Sequence, residues 1–296
     1  MHVTKSWALS LAALSLKATH ALSTFTPKKV VVTGAGGQTG QALFRKLLTY
    51  PEEFTPIGFV RTPESKQSLL DSGIPSGSIA VVDVTDGPAV KAFLTSSPVD
   101  AFCICTSGKP APTGVMTEEG KPVFGYPNGS PEEVDWIGQR NQINACGVDT
   151  HVVVCSSMGG TDPSNMLNKL GRTVDSEGKE VGGNILKWKR KAEKYLIDSG
   201  LPYTIVHPGG LLNEPGGERE LVVGVDDSQE GTTSRLVPRE DVAEVMLQAL
   251  RNEGYRNRSF DLRAKDKGDG VVTTDFAGLL EKLEGKNCDY SLGEIM

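Results

Sequence analysis

The sequence predicts an α/β protein: a doubly wound parallel sheet with helices on both faces and a small C-terminal region on the substrate side. Three observations point there. Short β-branched runs recur along the chain, helical periodicities or loops separate them, and a glycine-rich turn joins the first run to the first helix. Parallel strands are covered on both faces, so they read as continuous apolar runs rather than alternating ones.

The first run is Val30-Val31-Val32. Thr33-Gly34-Ala35-Gly36-Gly37-Gln38-Thr39-Gly40 follows, then a helical stretch with apolar pairs at Leu43/Phe44 and Leu47/Leu48, one turn apart. Strand, glycine turn and helix in that order form a dinucleotide-binding fingerprint. Gly34 lets the chain turn sharply off the strand, and Gly37 leaves no Cβ between backbone N–H groups and a pyrophosphate. Gly40 lets the helix pack closely on the sheet. Gln38 and Thr39 fall at the helix N-terminus, whose amides and partial positive charge favour an anion. Glycines at this spacing alone would also suit a flexible loop; the flanking strand and helix favour the nucleotide.

Further strands are expected at Ile57–Val60, Ile79–Val82, Ala101–Cys105, Val152–Cys155 and Tyr203–Val206. Helical periodicity is clearest over Ile185–Ser199, with Ile185, Trp188, Ala192, Tyr195 and Leu196 on one face. Val242, Val245, Met246, Ala249 and Leu250 mark a second helix. Residues 107–132, rich in Gly and Pro, are expected to form a long loop after the fourth strand. A loop there is a candidate lid or binding loop. Leu221–Val225 and Phe260–Leu262 are expected as strands of the C-terminal region.

The second strand ends in Phe59-Val60-Arg61-Thr62, where an NAD site places a carboxylate for the ribose hydroxyls. Arg61 fits a 2′-phosphate instead, which favours NADP(H) over NAD(H); the alternative is an ordinary surface arginine. Asp83, at the end of the third strand, either accepts from an adenine amino group or caps the next helix.

A formal charge of −6 over 296 residues argues against nucleic acid as a partner. No apolar stretch is long enough to span a membrane. The 5 cysteines, at 103, 105, 146, 155 and 288, have no metal-ligand spacing, so no metal site is expected and they read as buried thiols rather than disulfides. Cys103 and Cys105 would share one face of a strand, an arrangement that favours packing over a redox pair. Asn128-Gly129-Ser130 and Asn257-Arg258-Ser259 fit the glycosylation triplet, a pattern frequent by chance.

The N-terminus differs in kind. Lys5, an apolar run from Trp7 to Leu16, and Thr19-His20-Ala21 with small residues at −3 and −1 make a signal-peptide layout over residues 1–21. No Asp or Glu precedes Glu52, which also fits a mitochondrial or plastid transit peptide. Residues 22–28 hold Leu22-Ser23-Thr24-Phe25-Thr26-Pro27, similar to the start of bipartite plastid leaders in algae with complex plastids. Delivery to a plastid through the secretory route is the expectation, with secretion and the mitochondrion as alternatives. Residues 29–296 form the single nucleotide-binding domain.

The turn Thr33–Gly40, Val82-Asp83-Val84-Thr85-Asp86, Val134–Gln142, Ser157-Met158-Gly159-Gly160 and Trp188-Lys189-Arg190-Lys191-Ala192-Glu193 together carry a resemblance. The sequence resembles the atypical short-chain dehydrogenase/reductases, of the NmrA-like and SDR-a5 type, similar to plant chloroplast members. The resemblance runs from about Lys29 to beyond Leu280 and implies a Rossmann domain with NADP in the crevice at the strand ends. Asn141 matches the family's asparagine before the fifth strand, or is an ordinary polar helix position.

Members with full redox or epimerase chemistry use a Tyr-x-x-x-Lys pair and a serine. Ser157 matches the serine, or is a strand-end turn residue. Lys189 matches the lysine, whose role is to bind nicotinamide ribose and depress a tyrosine pKa; it also stands i,i+4 to Glu193, a plain surface pair. Ile185 occupies the tyrosine position, and Tyr195 and Tyr203 lack the spacing. Pro208, in His207-Pro208-Gly209-Gly210, matches the Pro-Gly turn beside the nicotinamide; His207 is an acid candidate or a structural or exposed loop histidine. The expected function is an NADPH-dependent reductase of a small organic substrate under the 107–132 loop, with a non-catalytic NADP(H)-responsive binding protein as the rival. A sugar-nucleotide epimerase is weaker for want of the phenol.

Overall fold

Val30, Val31 and Val32 form the interior of strand β1 (Lys28–Thr33) in the computed structural model, which describes residues 26–295 apart from 118, 175, 176 and 179. Of the leader expected over residues 1–28, residues 1–25 lie outside the described residues. Lys28, assigned to the transit-like segment, is already the first residue of β1.

Helix α1 (Gln38–Leu48), strand β2 (Phe54–Val60), helix α2 (Pro63–Asp71), strand β3 (Ile79–Val81), helix α3 (Gly87–Ser96) and strand β4 (Ala101–Ile104) follow in alternation. Local chemistry sets their starts. Thr62 caps α2 by accepting from the Ser65 amide at 3.2 Å, with Pro63 at the first helical position. Asp86 caps α3 through the Ala89 amide at 3.0 Å. Asp83 does not cap it: its carboxylate accepts from the amide and hydroxyl of Thr85, two residues on. Residues 107–132 are not a plain loop. They contain an antiparallel hairpin of β5 (Ala111–Met116) and β6 (Pro122–Gly125), because Val115, Val123 and Phe124 supply enough strand-forming character between the glycines.

A π-helical stretch, Glu132–Gly138, runs into α4 (Gln139–Ala145). Then come β7 (His151–Cys155), the short α5 (Met166–Lys169), the pair β8 (Arg172–Val174) and β9 (Glu180–Gly182), and α6 (Ile185–Asp198). The chain ends with β10 (Tyr203–Pro208), β11 (Gly210–Leu212), β12 (Leu221–Gly224), β13 (Leu236–Pro238), α7 (Arg239–Arg251) and β14 (Arg258–Ala264), followed by a C-terminal segment.

The main sheet has the order β12-β14-β10-β7-β4-β1-β2-β3, with every pairing parallel except β12 on β14. The strands expected in the small C-terminal region, β12 and β14, extend the main sheet. Pairing decides this: Val206 of β10 sits beside Phe260 of β14. Among the described residues, β11 pairs with β13, β5 with β6 and β8 with β9 outside it.

Alternation along β1 divides the core. Val30 and Val32 point to one face with Leu43, Phe44 and Leu47 of α1 and Val242, Val245 and Met246 of α7. Val31 points to the other, with Val90, Phe102, Ile143, Leu196 and Ile205. Gly58 in β2 makes room for α1, since a Cβ there would lie 2.8 Å from the Phe44 ring. Removing that buried ring would cost about 3–5 kcal/mol. Strand order reverses between β1 and β4, so a crevice opens between them at the carboxyl ends of the strands.

Candidate active site

The turn after β1 is shaped by two glycines that nothing else could replace. Gly34 has φ +67°, and a Cβ on it would meet the Cys105 carbonyl oxygen at 2.7 Å. A Cβ on Gly40 would fall 2.3 Å from the Gly34 carbonyl oxygen, so α1 can approach only because Gly40 is bare. The Gly37 amide donates back to Gly34 at 2.8 Å, and the Gln41 amide makes the first helical bond, to Gly37 at 2.8 Å. The amides of Gln38, Thr39 and Gly40 come before that bond, at the N-terminus of α1. No side chain caps this helix and no acid lies in its first turn, while Arg45 and Lys46 close its last. Its N-terminus thus offers uncapped amides and partial positive charge, which suit an anion.

That N-terminus opens on a cleft of about 370 Å³. Gly37, Gln38, Thr39 and Gly40 form one wall; Ser157, Ile185 and Lys189 form the opposite one; Lys109 and Tyr126 border it from the hairpin region. Larger hollows lie elsewhere: about 550 Å³ at the amino ends of the strands and about 690 Å³ between α3 and α4. Neither touches the glycine turn.

Lys189 is buried on α6, and its Nζ lies 2.9 Å from Asp135 Oδ1 in the π-helical stretch. Burial works against the ammonium, but Asp135 outweighs it and holds the lysine pKa above its usual value. Asp135 Oδ2 accepts from the Gly108 amide at 2.8 Å, so the same carboxylate fixes the chain after β4. The expected pairing of Lys189 with Glu193 is not made. Glu193 turns into the core, where its Oε2 is 3.0 Å from His207 Nε2 and its Oε1 accepts from the Ser156 hydroxyl. Burial pushes the Glu193 carboxyl up, yet His207 outweighs this and brings it to about 2. His207 is accordingly neither exposed nor in a loop: it is buried within β10, and Glu193 raises its pKa well above the ordinary value despite burial.

Ser157 faces the cleft, its hydroxyl donating to the Met158 carbonyl at 3.0 Å. Pro208 lies beyond it, on a neighbouring hollow of about 430 Å³ that also includes Ser157. Tyr195 is turned away, donating to Asn144 Oδ1 at 2.6 Å. Cys105 and Cys155 border the cleft, but burial raises both thiols, Cys155 to about 11, so neither is a ready nucleophile.

Asp83 and Arg61 are not among the residues lining the cleft. Arg61 is exposed and clamps the end of the hairpin, donating to the Asn128 carbonyl at 2.6 Å and to its Oδ1 at 2.9 Å. Asn141 donates to the carbonyls of Val84 at 3.2 Å and Thr85 at 3.1 Å, tying α4 to the turn after β3.

Two residues escaped sequence reasoning. Asp135 left a signal, an acid within the otherwise apolar Val134-Asp135-Trp136-Ile137. Tyr126 left none; its hydroxyl is buried without a hydrogen-bond partner among the described residues, and burial, then Asp135, push its pKa up to about 12.

A bare helix N-terminus, glycines whose Cβ atoms would close the turn, and a buried ammonium across the cleft fit a dinucleotide. Comparison with known proteins agrees. Residues 34–253 match the NAD(P)H-binding family. An uncharacterized chloroplastic protein of Arabidopsis thaliana is 41% identical over 272 residues, 90% of this chain and 78% of that one. Sanguinarine reductase of Eschscholzia californica is 40% identical over 277 residues, 86% of this chain and 95% of that one. Among solved structures, a Rossmann-fold NAD(P)-binding family protein from Shigella flexneri shares the fold with a TM-score of 0.53 at 20% identity, covering 84% of this chain and 100% of that one. The chain belongs to the NAD(P)H-binding family and has its Rossmann fold.

Proposed function

We propose that the chain is an NADPH-dependent reductase of a small organic substrate held in the cleft beneath the β5–β6 hairpin. The observation that carries this reading is the cleft itself, which sets the uncapped N-terminus of α1 opposite Ser157 and Lys189. The reductase relative supports the same direction of chemistry. NADPH, when bound, supplies the hydride.

The rest of the work falls to the chain's own groups. Gly34, Gly37 and Gly40 shape the turn, and the amides of Gln38, Thr39 and Gly40 hold the diphosphate. Lys189, kept charged by Asp135, donates to ribose hydroxyls. Arg61 reads the 2′-phosphate after exchanging its Asn128 contacts for it, Asp83 meets the adenine edge, and Pro208 borders the nicotinamide. Ser157 holds the substrate oxygen and relays to it the proton that balances the hydride, taking a replacement proton from water. The native chain has Ile185 where a relay phenol would stand, so turnover of simple carbonyls is slow.

That apolar position also favours a second reading, a non-catalytic NADP(H)-responsive binding protein. Titration of protein lacking residues 1–25 with NADPH, NADP+, NADH and NAD+, followed by turnover of NADPH with quinones, aldehydes and enones, separates the two. A reductase consumes NADPH with at least one substrate class; tight binding of both redox states with no turnover selects the sensor.

A further inference from the structure

Behind Ser157, away from the glycine turn, three potential ligand atoms converge in the buried interior. His207 and Asp261 are register neighbours on the parallel strands β10 and β14, so their side chains leave the same face of the sheet. Cys288 arrives from the C-terminal segment, 81 residues after His207. Its backbone is pinned: the Cys288 amide donates to the Ser259 carbonyl and hydroxyl, both at 3.1 Å. The Asp289 amide donates to Asp226 Oδ1 at 2.7 Å, and Arg190 holds the carbonyls of Asp289 and Leu292 at 2.8 and 2.9 Å.

Two edges of the triangle they form match a metal's ligand shell, and the sulfur–carboxylate edge is a few tenths of an ångström longer. Cys288 Sγ is 3.5 Å from His207 Nδ1 and 3.9 Å from Asp261 Oδ1, and Nδ1 and Oδ1 are 3.6 Å apart. A tetrahedral zinc ion holding sulfur, nitrogen and oxygen at its usual bond lengths sets its ligands about 3.3–3.6 Å apart. All three residues are buried, and a cavity of about 10 Å³ borders them together with Ser157 and Thr161, the scale of a single atom or water.

The surrounding contacts orient each ligand. His207 Nε2 faces Glu193, so with Nε2–H donated to that carboxylate it is the Nδ1 proton that an incoming ion displaces, the carboxylate–histidine arrangement usual behind metal-bound imidazole. Ser156 holds Glu193 in turn. Asp261 Oδ2 accepts from the Asp227 amide at 2.7 Å, which leaves Oδ1 for the ion. One thiolate, one imidazole and one carboxylate suit a borderline-soft ion; calcium and magnesium want oxygen alone.

We propose that His207 Nδ1, Asp261 Oδ1 and Cys288 Sγ form a zinc-class divalent metal site, completed by water, that fastens the C-terminal segment to the sheet. Binding releases two protons to solvent, one from the Cys288 thiol and one from Nδ1 of the imidazole that Glu193 holds charged, and sulfur–metal and nitrogen–metal bonds replace the sulfur–hydrogen and nitrogen–hydrogen bonds. The site is independent of the reductase reading, since it requires neither nucleotide nor turnover.

The test is titration of the full chain, stripped by chelator, with Co2+ as a spectroscopic stand-in for zinc. One equivalent should produce four-coordinate d–d bands and a thiolate-to-cobalt charge-transfer band, and one equivalent of Zn2+ should bleach both. Cys288→Ser should abolish the charge-transfer band, and Asp261→Asn should weaken cobalt at least tenfold. Cys146→Ser, with a thiol far from the triangle, should keep the spectrum. Zinc should raise the Tm of the native chain and leave that of Cys288→Ser unchanged. If one equivalent of cobalt gives no thiolate band, or if the band survives in Cys288→Ser, the site does not exist.

Discussion

Asp135 Oδ1 lies 2.9 Å from the Lys189 ammonium, and the two side chains are 0% and 7% exposed. Breaking a buried pair by removing one partner costs about 3–5 kcal/mol, because the remaining charge stays desolvated. Asp135→Asn should therefore lower stability on that scale at neutral pH. The pH dependence has a definite sign. The Lys189 pKa is raised in the folded protein, so its stabilising contribution is complete below the unfolded lysine value of about 10.4 and fades as pH climbs through the folded value. Thermal melts of both proteins from neutral to strongly alkaline pH should converge. A Tm gap that stays constant into the alkaline range would contradict the pairing.

Gly40→Ala should disturb the turn and the nucleotide site together. Its Cβ would sit 2.3 Å from the Gly34 carbonyl oxygen, an overpacking worth about 1–3 kcal/mol. Gly77→Ala is the control, because its Cβ would meet nothing within 4 Å. Denaturant midpoints and NADPH titrations of both variants decide the matter; equal behaviour would mean the turn is more yielding than its geometry implies.

Arg61 makes two competing demands testable. Arg61→Ala should weaken NADPH by about tenfold to a hundredfold, the range of a charge-assisted contact, and barely change NADH. Asn128→Ala frees the guanidinium from its hairpin contacts and should leave NADPH binding intact or tighter. Equal losses for both cofactors in Arg61→Ala would assign the residue to the hairpin alone.

Ile185 borders the cleft beside Lys189, one helical turn before it. Ile185→Tyr should raise the rate of carbonyl reduction, since a positioned general acid is typically worth about 10²–10⁴-fold. Lys189→Ala should weaken cofactor binding. Ser157→Ala should lower kcat in the native background, whereas Tyr126→Phe tests whether the cleft's unpartnered phenol shares the proton transfer. Efficient native carbonyl reduction surviving both substitutions would place the proton donor elsewhere.

Residues 1–35 fused to a fluorescent protein should reach the plastid of an alga with a complex plastid, and Phe25→Ala should stop the fusion in an earlier compartment. Delivery of the unmodified fusion to mitochondria would exclude the secretory route.

Much of the fold was legible because its signals are local. Val30–Val32 is apolar on both faces, and Gly34 and Gly40 are backbone requirements that no other residue meets. The hairpin within 107–132 leaves little trace in the sequence because its strands are broken by glycine and proline and β5 is largely exposed. That β12 and β14 join the main sheet is not legible in their sequences, because pairing to a distant strand leaves no trace in either segment.

The sequence by itself determined the strand–turn–helix unit, the parallel sheet and the amphipathic faces of α1, α6 and α7, since each follows from spacing within a few residues. Tertiary structure alone decided which partner each polar group took. Glu193 stands one turn from Lys189, yet it pairs with His207, while Lys189 reaches Asp135 more than fifty residues back. The reason is desolvation: a buried charge takes whichever opposite group the packing brings within about 3 Å, and that proximity belongs to the sheet order, not to the chain order.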